Sequence, residues 1–395
     1  MATETDLTPD ELARYARQLA LPGVGLEGQE RLRDARVLVV GAGGLGSPVL
    51  LYLAAAGVGT LGIVDDDVVD TSNLHRQVIH GDAQVGHAKV GSARDAVARV
   101  NPHVHVEEHD LRLDATNALD LLARYDVVVD GTDSFEARYL VSDAAELVGV
   151  PAVWGAIHQY SGQVAVFSAA GLPASDDGSR AALPGVTYRD VFPEPPPPGT
   201  VPDCATAGVF GVVCGTVGTA MATEVVKLIT GVGRTLLGRL AVYDALDAEW
   251  RYLTVRADPA REPVTALADP EPVVCAVPAP EPATTPDRMD ADELADRLGR
   301  GDVVVLDVRE DWELAAEPFD PGADADVRHL PFGRVAAGDA RAALADLPRD
   351  VVVAVLCKAG HRAERVAEVA RAEGVDARTV DGGMLAWRAR PVPAK

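Results

Sequence analysis

Cysteine is scarce in this chain. Four thiols are spread over 395 residues and none lies in a close pair. That excludes a disulfide-stapled scaffold and fits a reducing compartment. Basic residues are also in deficit: 36 Lys and Arg stand against 60 Asp and Glu, a formal net charge of −24. Such a surface repels phosphate backbones and anionic lipid, so neither nucleic acid nor membrane is expected as a partner. A bound nucleotide must then be held by a local nest of amides and a few cations. No apolar run reaches the roughly 18–20 residues that span a bilayer. The opening MATETDLTPDELARYARQLA lacks the basic and apolar regions of a secretory signal and reads as an amphipathic helix capped by Thr8 or Asp10. A cytoplasmic protein is the expectation. The sequence also lacks G-x-x-x-x-G-K-[ST], so an ordinary P-loop NTPase is not expected.

What is present is a chain long enough for two or three cores, with 48% hydrophobic residues. Residues 1–35 read as helical. RVLVVGAG, a helix over 46–57, LGIVDDD, a helix over 88–100 and DVVVDGTD then alternate, and PAVWGAI and GQVAVFS continue the strands. Alternation of this kind predicts an α/β fold with a parallel, doubly wound sheet. Residues 170–203 are rich in Pro, Gly and Asp, a loop long enough to be functional or mobile. The Pro-rich stretch 257–287 reads as a linker. It divides a domain over 1–256 from a smaller α/β domain over 288–395.

The turn GAGGLG (Gly41 to Gly46) follows a strand and opens a helix. Glycines there let a phosphate approach backbone amides and a helix N-terminus. Asp65 ends the next strand, where a carboxylate can bind a ribose hydroxyl. Alone this pattern most often means a nicotinamide or flavin site. SNLHRQ (Ser72 to Gln77), Lys89 at a helix start and Asp133 after a strand argue otherwise. Two cations beside the turn and an aspartate across the cleft suit an enzyme that splits ATP at the α-phosphate. Arg76 and Lys89 would neutralise the triphosphate and Asp133 would hold Mg²⁺. Asp66 and Asp67 read as loop and cap residues.

From RYARQ through GAGGLG, SNLHRQVIH, VGHAKV and DGTDS to VPDCATAG and VYDAL, roughly residues 8–255, the chain resembles the MoeB/ThiF adenylyltransferases, relatives of ubiquitin-activating enzymes. The resemblance implies adenylation of the C-terminal glycine of a ubiquitin-like sulfur-carrier protein ending in Gly-Gly. It implies ATP contacts at Gly44, Asp65, Ser72, Asn73, Leu74, His75, Arg76, Lys89, Asp133 and Ser134. Arg17 matches an arginine that reaches the partner subunit's phosphates, so a homodimer is implied. Two departures stand out. Ser134 replaces an asparagine, and its hydroxyl can still hydrogen-bond. Many relatives also carry two C-x-x-C pairs that hold a structural zinc. The matching positions read TYRD (Thr187 to Asp190) and REPV (Arg261 to Val264), so no zinc is expected and something else must hold that corner.

The thiols differ in setting. Cys204 lies in VPDCATAG, after the proline-rich loop and before a helical stretch, where a thiol is activated. Its counterpart in relatives takes part in thioester or persulfide chemistry. Cys214 sits in an apolar run and reads as a buried small hydrophobe; Cys275 falls in the linker. Cys357 begins CKAGHR, at the end of the strand-like VVVAVL and just before a helix. A nest of amides there favours an anion on the sulfur. Four residues separate Cys357 from Arg362, where cysteine phosphatases place five; the shorter loop suits a single sulfane sulfur. With LDVRE before it and DGGMLAW after it, the stretch 288–393 resembles a rhodanese domain. PFDPGADADVRHLPFG is more irregular than the family's usual segment. Asp307 and Arg309 read as an internal ion pair.

The combination resembles the MoeZ type of sulfur-carrier activating enzyme. It implies that Cys357 takes a persulfide from an upstream donor, such as a cysteine desulfurase or thiosulfate, and that this sulfur displaces AMP to give a carrier thiocarboxylate. Cys204 would resolve the acyl disulfide or carry a thioester. Molybdopterin synthesis is one pathway this chemistry serves; thiamin, cysteine or a secondary metabolite are others. The competing readings are an NAD- or FAD-dependent oxidoreductase fused to a rhodanese-like module, and a non-catalytic docking scaffold.

Overall fold

Apolar runs rich in valine form strands that are buried on both faces. The first unit has β1 (Arg36–Val40), β2 (Thr60–Val64), β3 (His105–His109), β4 (Val127–Asp130), β5 (Ala152–His158), β6 (Ser161–Phe167), β7 (Arg239–Asp244) and β8 (Glu249–Thr254), of which β1 and β4 are such strands and the edge strands β3 and β8 are more polar and at least partly exposed throughout. The second unit has β9 (Arg288–Met289), β10 (Val303–Asp307), β11 (Asp326–His329), β12 (Val352–Leu356) and β13 (Ala377–Val380). This computed structural model describes residues 5–174, 181–196, 208–267, 287–322, 325–336 and 344–390. The chain divides into Met1–Val273 and Val274–Lys395.

The first unit is built on one eight-stranded sheet in the order β3-β2-β1-β4-β5-β6-β7-β8. Strands β3 to β5 in that order run parallel, and β5 to β8 are antiparallel neighbours. The sheet is thus doubly wound and mainly parallel, with an antiparallel extension that the alternation did not foretell. The reversal begins at a tight β5–β6 hairpin with Gln159 at φ +50°. The N-terminal helical stretch is broken into Pro9–Arg14, Ala16–Leu19 and Gly25–Asp34; Pro22 and the positive φ of Gly23 separate the last two. Thr8, not Asp10, caps the first of these helices, in a capping box with Glu11.

Helix Gly211–Thr230 is, at 20 residues, long and apolar enough by length and composition to cross a membrane, which corrects the expectation of no such segment. Here it packs on β5, β6 and helix Gly46–Ala56. Small residues permit the close approach: a Cβ on Gly218 would fall 2.5 Å from the Pro48 ring and 2.6 Å from the Leu45 carbonyl. Its Glu224 is buried and accepts from the Leu236 amide at 2.7 Å.

The second unit is a five-stranded parallel sheet in the order β11-β10-β12-β13-β9. Core clusters on either side seal β10 and β12 between helices. Helix His361–Ala372 follows β12, and helix Gly383–Ala389 follows β13.

Candidate active site

In the first unit the strand order reverses between β1 and β4. Doubly wound sheets take ligands at the carboxyl ends of their strands at such a point. The turn Gly41–Gly46 leaves β1 there. Gly41 has φ +94°, and a Cβ on Gly46 would lie 1.9 Å from the Gly41 carbonyl oxygen, so both positions require glycine. The turn is tied down from within. The Ala42 amide donates to Asp65 Oδ2 at 2.8 Å. The Ala42 carbonyl accepts from His80 Nε2 at 2.9 Å. The Gly43 carbonyl accepts from the Ser47 amide at 2.9 Å and the Ser47 hydroxyl at 2.7 Å. The amides of Gly43 and Gly44 donate to nothing among the described residues, and both glycines are partly exposed. Behind Gly44 lies the buried Cys214, whose sulfur would be 2.9 Å from a Cβ at that glycine.

Lys89 opens helix Lys89–Val100 and is buried. Its ammonium lies 2.8 Å from Asp67 Oδ2 and 3.9 Å from Asp65 Oδ1. Asp67 is therefore a partner of Lys89, not only the loop residue expected. Burial pushes the Asp65 carboxyl above its ordinary range against the pull of Lys89 and two backbone amides. Asp70 caps the short turn Thr71–Asn73 and accepts from the Ser72 amide and hydroxyl. Arg76 donates back to the Ser72 carbonyl at 3.1 Å and Asn73 Oδ1 at 3.0 Å, and lies 3.0 Å from His75 Nε2. Desolvation and this guanidinium lower the His75 imidazole. Leu74 is half-buried within the same turn.

At the end of β4, Asp133 is exposed and enters no hydrogen bond or ion pair among the described residues. The Ser134 hydroxyl accepts from the Ala137 amide at 3.1 Å and caps helix Phe135–Val148. Asp130, beside them, is fully buried and accepts from the Thr132 amide and hydroxyl. Arg17 is exposed on its short helix, with no ion pair among the described residues. Sequence reasoning passed over His80, Ser47 and Asp130, and gave Asp67 only the role of a loop or cap residue. Gln77 was quoted but given no role: it is buried, and its Oε1 has no partner among the described residues. Only the nearness of His80 to SNLHRQ hinted at these.

The corner expected to lack zinc has a cation of its own. Asp190 Oδ2 accepts from the Thr187 amide and hydroxyl, and Asp190 Oδ1 from the Asp258 amide at 2.9 Å. Arg261 lies 3.3 Å from Asp190 Oδ1 and donates to both oxygens of Glu146 at 3.0 and 3.2 Å. All three side chains are largely buried. A guanidinium thus joins the two segments, and the carboxylate oxygens available there are already engaged. The donor set does not fit tetrahedral zinc.

In the second unit Cys357 ends β12 and is 1% exposed. The Gly360 amide donates to its sulfur at 3.0 Å, with Gly360 at φ +101°. The amides of Met384 and Leu385 donate to the carbonyls of Cys357 and Lys358. A Cβ on Gly383 would fall 2.2 Å from the Cys357 oxygen, which explains the glycines of DGGMLAW. Arg362 forms a bidentate pair with Glu313, at 2.5 and 2.7 Å. Asp307 and Arg309 form a buried pair, 2.7 Å apart at their closest. Cys204 and Cys275 lie outside the described residues.

Comparison with known proteins gives two family matches: the ThiF family over residues 15–264 and a rhodanese-like domain over residues 290–390. The chain is 48% identical to a probable adenylyltransferase/sulfurtransferase MoeZ of Mycobacterium tuberculosis, over 98% of this chain and 95% of that protein. It is 53% identical to a sulfur carrier protein adenylyltransferase of Thermus thermophilus, over 64% of this chain and 90% of the relative. The crystal structure of E. coli MccB with MccA-N7isoASN shares the fold, with TM-score 0.54 and 20% identity over 64% of this chain and 74% of that one.

Proposed function

This chain belongs to the ThiF family and ends in a rhodanese-like domain, and on that premise we propose that it adenylates and then sulfurates a ubiquitin-like carrier protein ending in Gly-Gly. One observation carries the reading: two unengaged amides, two cations and an unengaged carboxylate meet at the switch point of the sheet. Such a set suits a triphosphate. Relatives are named adenylyltransferases and sulfurtransferases, and nothing supports the oxidoreductase alternative.

The chemistry follows from leaving groups. A carboxylate is inert to a sulfur nucleophile because oxide leaves poorly. The carrier's terminal carboxylate attacks the α-phosphate of ATP, pyrophosphate leaves, and the acyl group then carries AMP. Lys89, Arg76 and the turn amides offset the phosphate charge. Gly44, Asp65, Ser72, Asn73, Leu74, His75 and Ser134 frame the nucleotide. Asp133 would hold a Mg²⁺, whose charge would help offset that of the departing pyrophosphate. Arg17 acts across a homodimer.

Cys357 receives a sulfane sulfur from a persulfide donor or thiosulfate. That terminal sulfur attacks the activated carbonyl and expels AMP, giving an acyl disulfide. The Cys204 thiolate then attacks the Cys357 sulfur, leaving a Cys204–Cys357 disulfide and a free carrier thiocarboxylate; a dithiol reductant restores both thiols. The protein works in a reducing, cytoplasmic setting and without zinc. The test is ATP–pyrophosphate exchange with Gly-Gly-ended carriers. Exchange dependent on the carrier supports the reading, and its absence with every such carrier overturns it.

A further inference from the structure

We propose that His80, held by Ser92, is a positioning residue that aims the Gly43 amide at the nucleotide phosphates. This deepens the adenylation reading and rests on it. His80 is 6% exposed and lies beneath the glycine turn. Its Nε2 faces the Ala42 carbonyl at 2.9 Å and its Nδ1 faces the Ser92 hydroxyl at 2.8 Å. A carbonyl oxygen only accepts, so Nε2 carries the proton. Burial lowers the imidazole and keeps it neutral, so Ser92 donates to Nδ1 and fixes that tautomer.

The consequence lies on the far side of the peptide. A trans peptide is planar, and its carbonyl and amide hydrogen point in opposite directions. With the Ala42 carbonyl turned inward to His80, the Gly43 amide must turn outward. Ser47 does the same one residue later: it holds the Gly43 carbonyl, so the Gly44 amide also turns outward. Neither of these amides has a partner among the described residues. Ser92 stands one turn along from Lys89 on the same helix. The His80–Ser92 pair therefore links the amides of the turn to the element that bears the phosphate-facing ammonium. His80 touches no reacting atom in this arrangement.

The test uses the full chain with His80→Phe, which fills the space without a donor, and His80→Gln, whose Nε2 restores one. Calorimetry compares the Kd of ATP with that of adenosine, which has no phosphate, and pyrophosphate exchange separates KM for ATP from kcat. In His80→Phe the ATP Kd and KM should rise about tenfold, equivalent to about 1.4 kcal/mol, with adenosine affinity little changed and the far-UV circular dichroism spectrum as in the wild type. His80→Gln should recover most of the loss, and Ser92→Ala should show a smaller loss in the same direction. Equal weakening of ATP and adenosine, or an unchanged ATP Kd in His80→Phe, overturns the proposal. Wild-type chain that binds ATP but exchanges pyrophosphate with no carrier overturns the adenylation reading instead, and the ATP–adenosine comparison still decides the role of His80.

Discussion

Lys89 is 5% exposed, and a carboxylate from Asp67 lies against its ammonium. Asp67 is itself exposed, so on the proposed reading a triphosphate would compete with it for the same cation. Lys89→Met keeps the stem packed and removes the charge. It should lower pyrophosphate-exchange turnover by roughly 10²–10³-fold, the size expected for losing one preorganised group that meets developing charge. The far-UV circular dichroism spectrum should stay as in the wild type. The glycines and the cations of this site were legible in the sequence because they are contiguous: GAGGLG and SNLHRQ each carry their own spacing. His80, Ser92 and Asp67 were not. Each acts through a contact with a residue 12 to 38 positions away, and such pairings leave no local pattern to read.

At the scale of elements, the corner formed by Thr187–Asp190 and Arg261–Val264 depends on one guanidinium. Arg261→Met leaves Asp190 and Glu146 buried and unpaired. Breaking a buried pair from one side costs about 3–5 kcal/mol, which should lower the melting temperature of the first unit by roughly 10 °C. A zinc chelator should leave the wild-type melting temperature unmoved; a large drop would show that the corner holds metal after all. The loss of four thiolates could be read from the sequence, but their replacement could not, since Glu146 lies 115 residues from Arg261. The parallel strands were legible as unbroken valine runs. β3 (HVEEH) was not, because as an edge strand it pairs on one side only and presents polar residues such as Glu107. In the second unit, the start of helix His361–Ala372 is held by Arg362 and Glu313. Burial pushes the Glu313 carboxyl up, but hydrogen bonds from Arg362 and the Glu310 amide outweigh it and leave the group below its ordinary value. A depressed carboxyl contributes stability above its unfolded pKa, and that contribution goes as pH falls through the folded value. The melting temperature of the second unit should therefore fall as pH drops below the ordinary glutamate value of 4.5. In Glu313→Gln it should be lower at pH 7 and depend less on pH in that range, as calorimetry would read.

At the scale of the whole molecule, one chain carries an acyl-activating turn and a sulfur-bearing loop. A net charge of −24 leaves both to gather their own local cations and amides. If Arg17 serves the site of the partner subunit, Arg17→Ala and Lys89→Met are each inactive alone. Mixed and re-equilibrated in equal amounts, they should recover about a quarter of wild-type exchange, because half the dimers pair one intact set of groups. No recovery on mixing would place Arg17 in its own subunit's site. The central claim is that the carboxylate activated by the first unit is attacked by sulfur from Cys357. The most direct measurement is the intact mass of a Gly-Gly-ended carrier after incubation with the full chain, MgATP, thiosulfate or a persulfide donor, and a dithiol. The account predicts replacement of one carrier oxygen by sulfur, dependent on ATP and abolished in Cys357→Ala. A carrier unchanged in mass although pyrophosphate exchange proceeds, or one sulfurated as fully by Cys357→Ala, would contradict it.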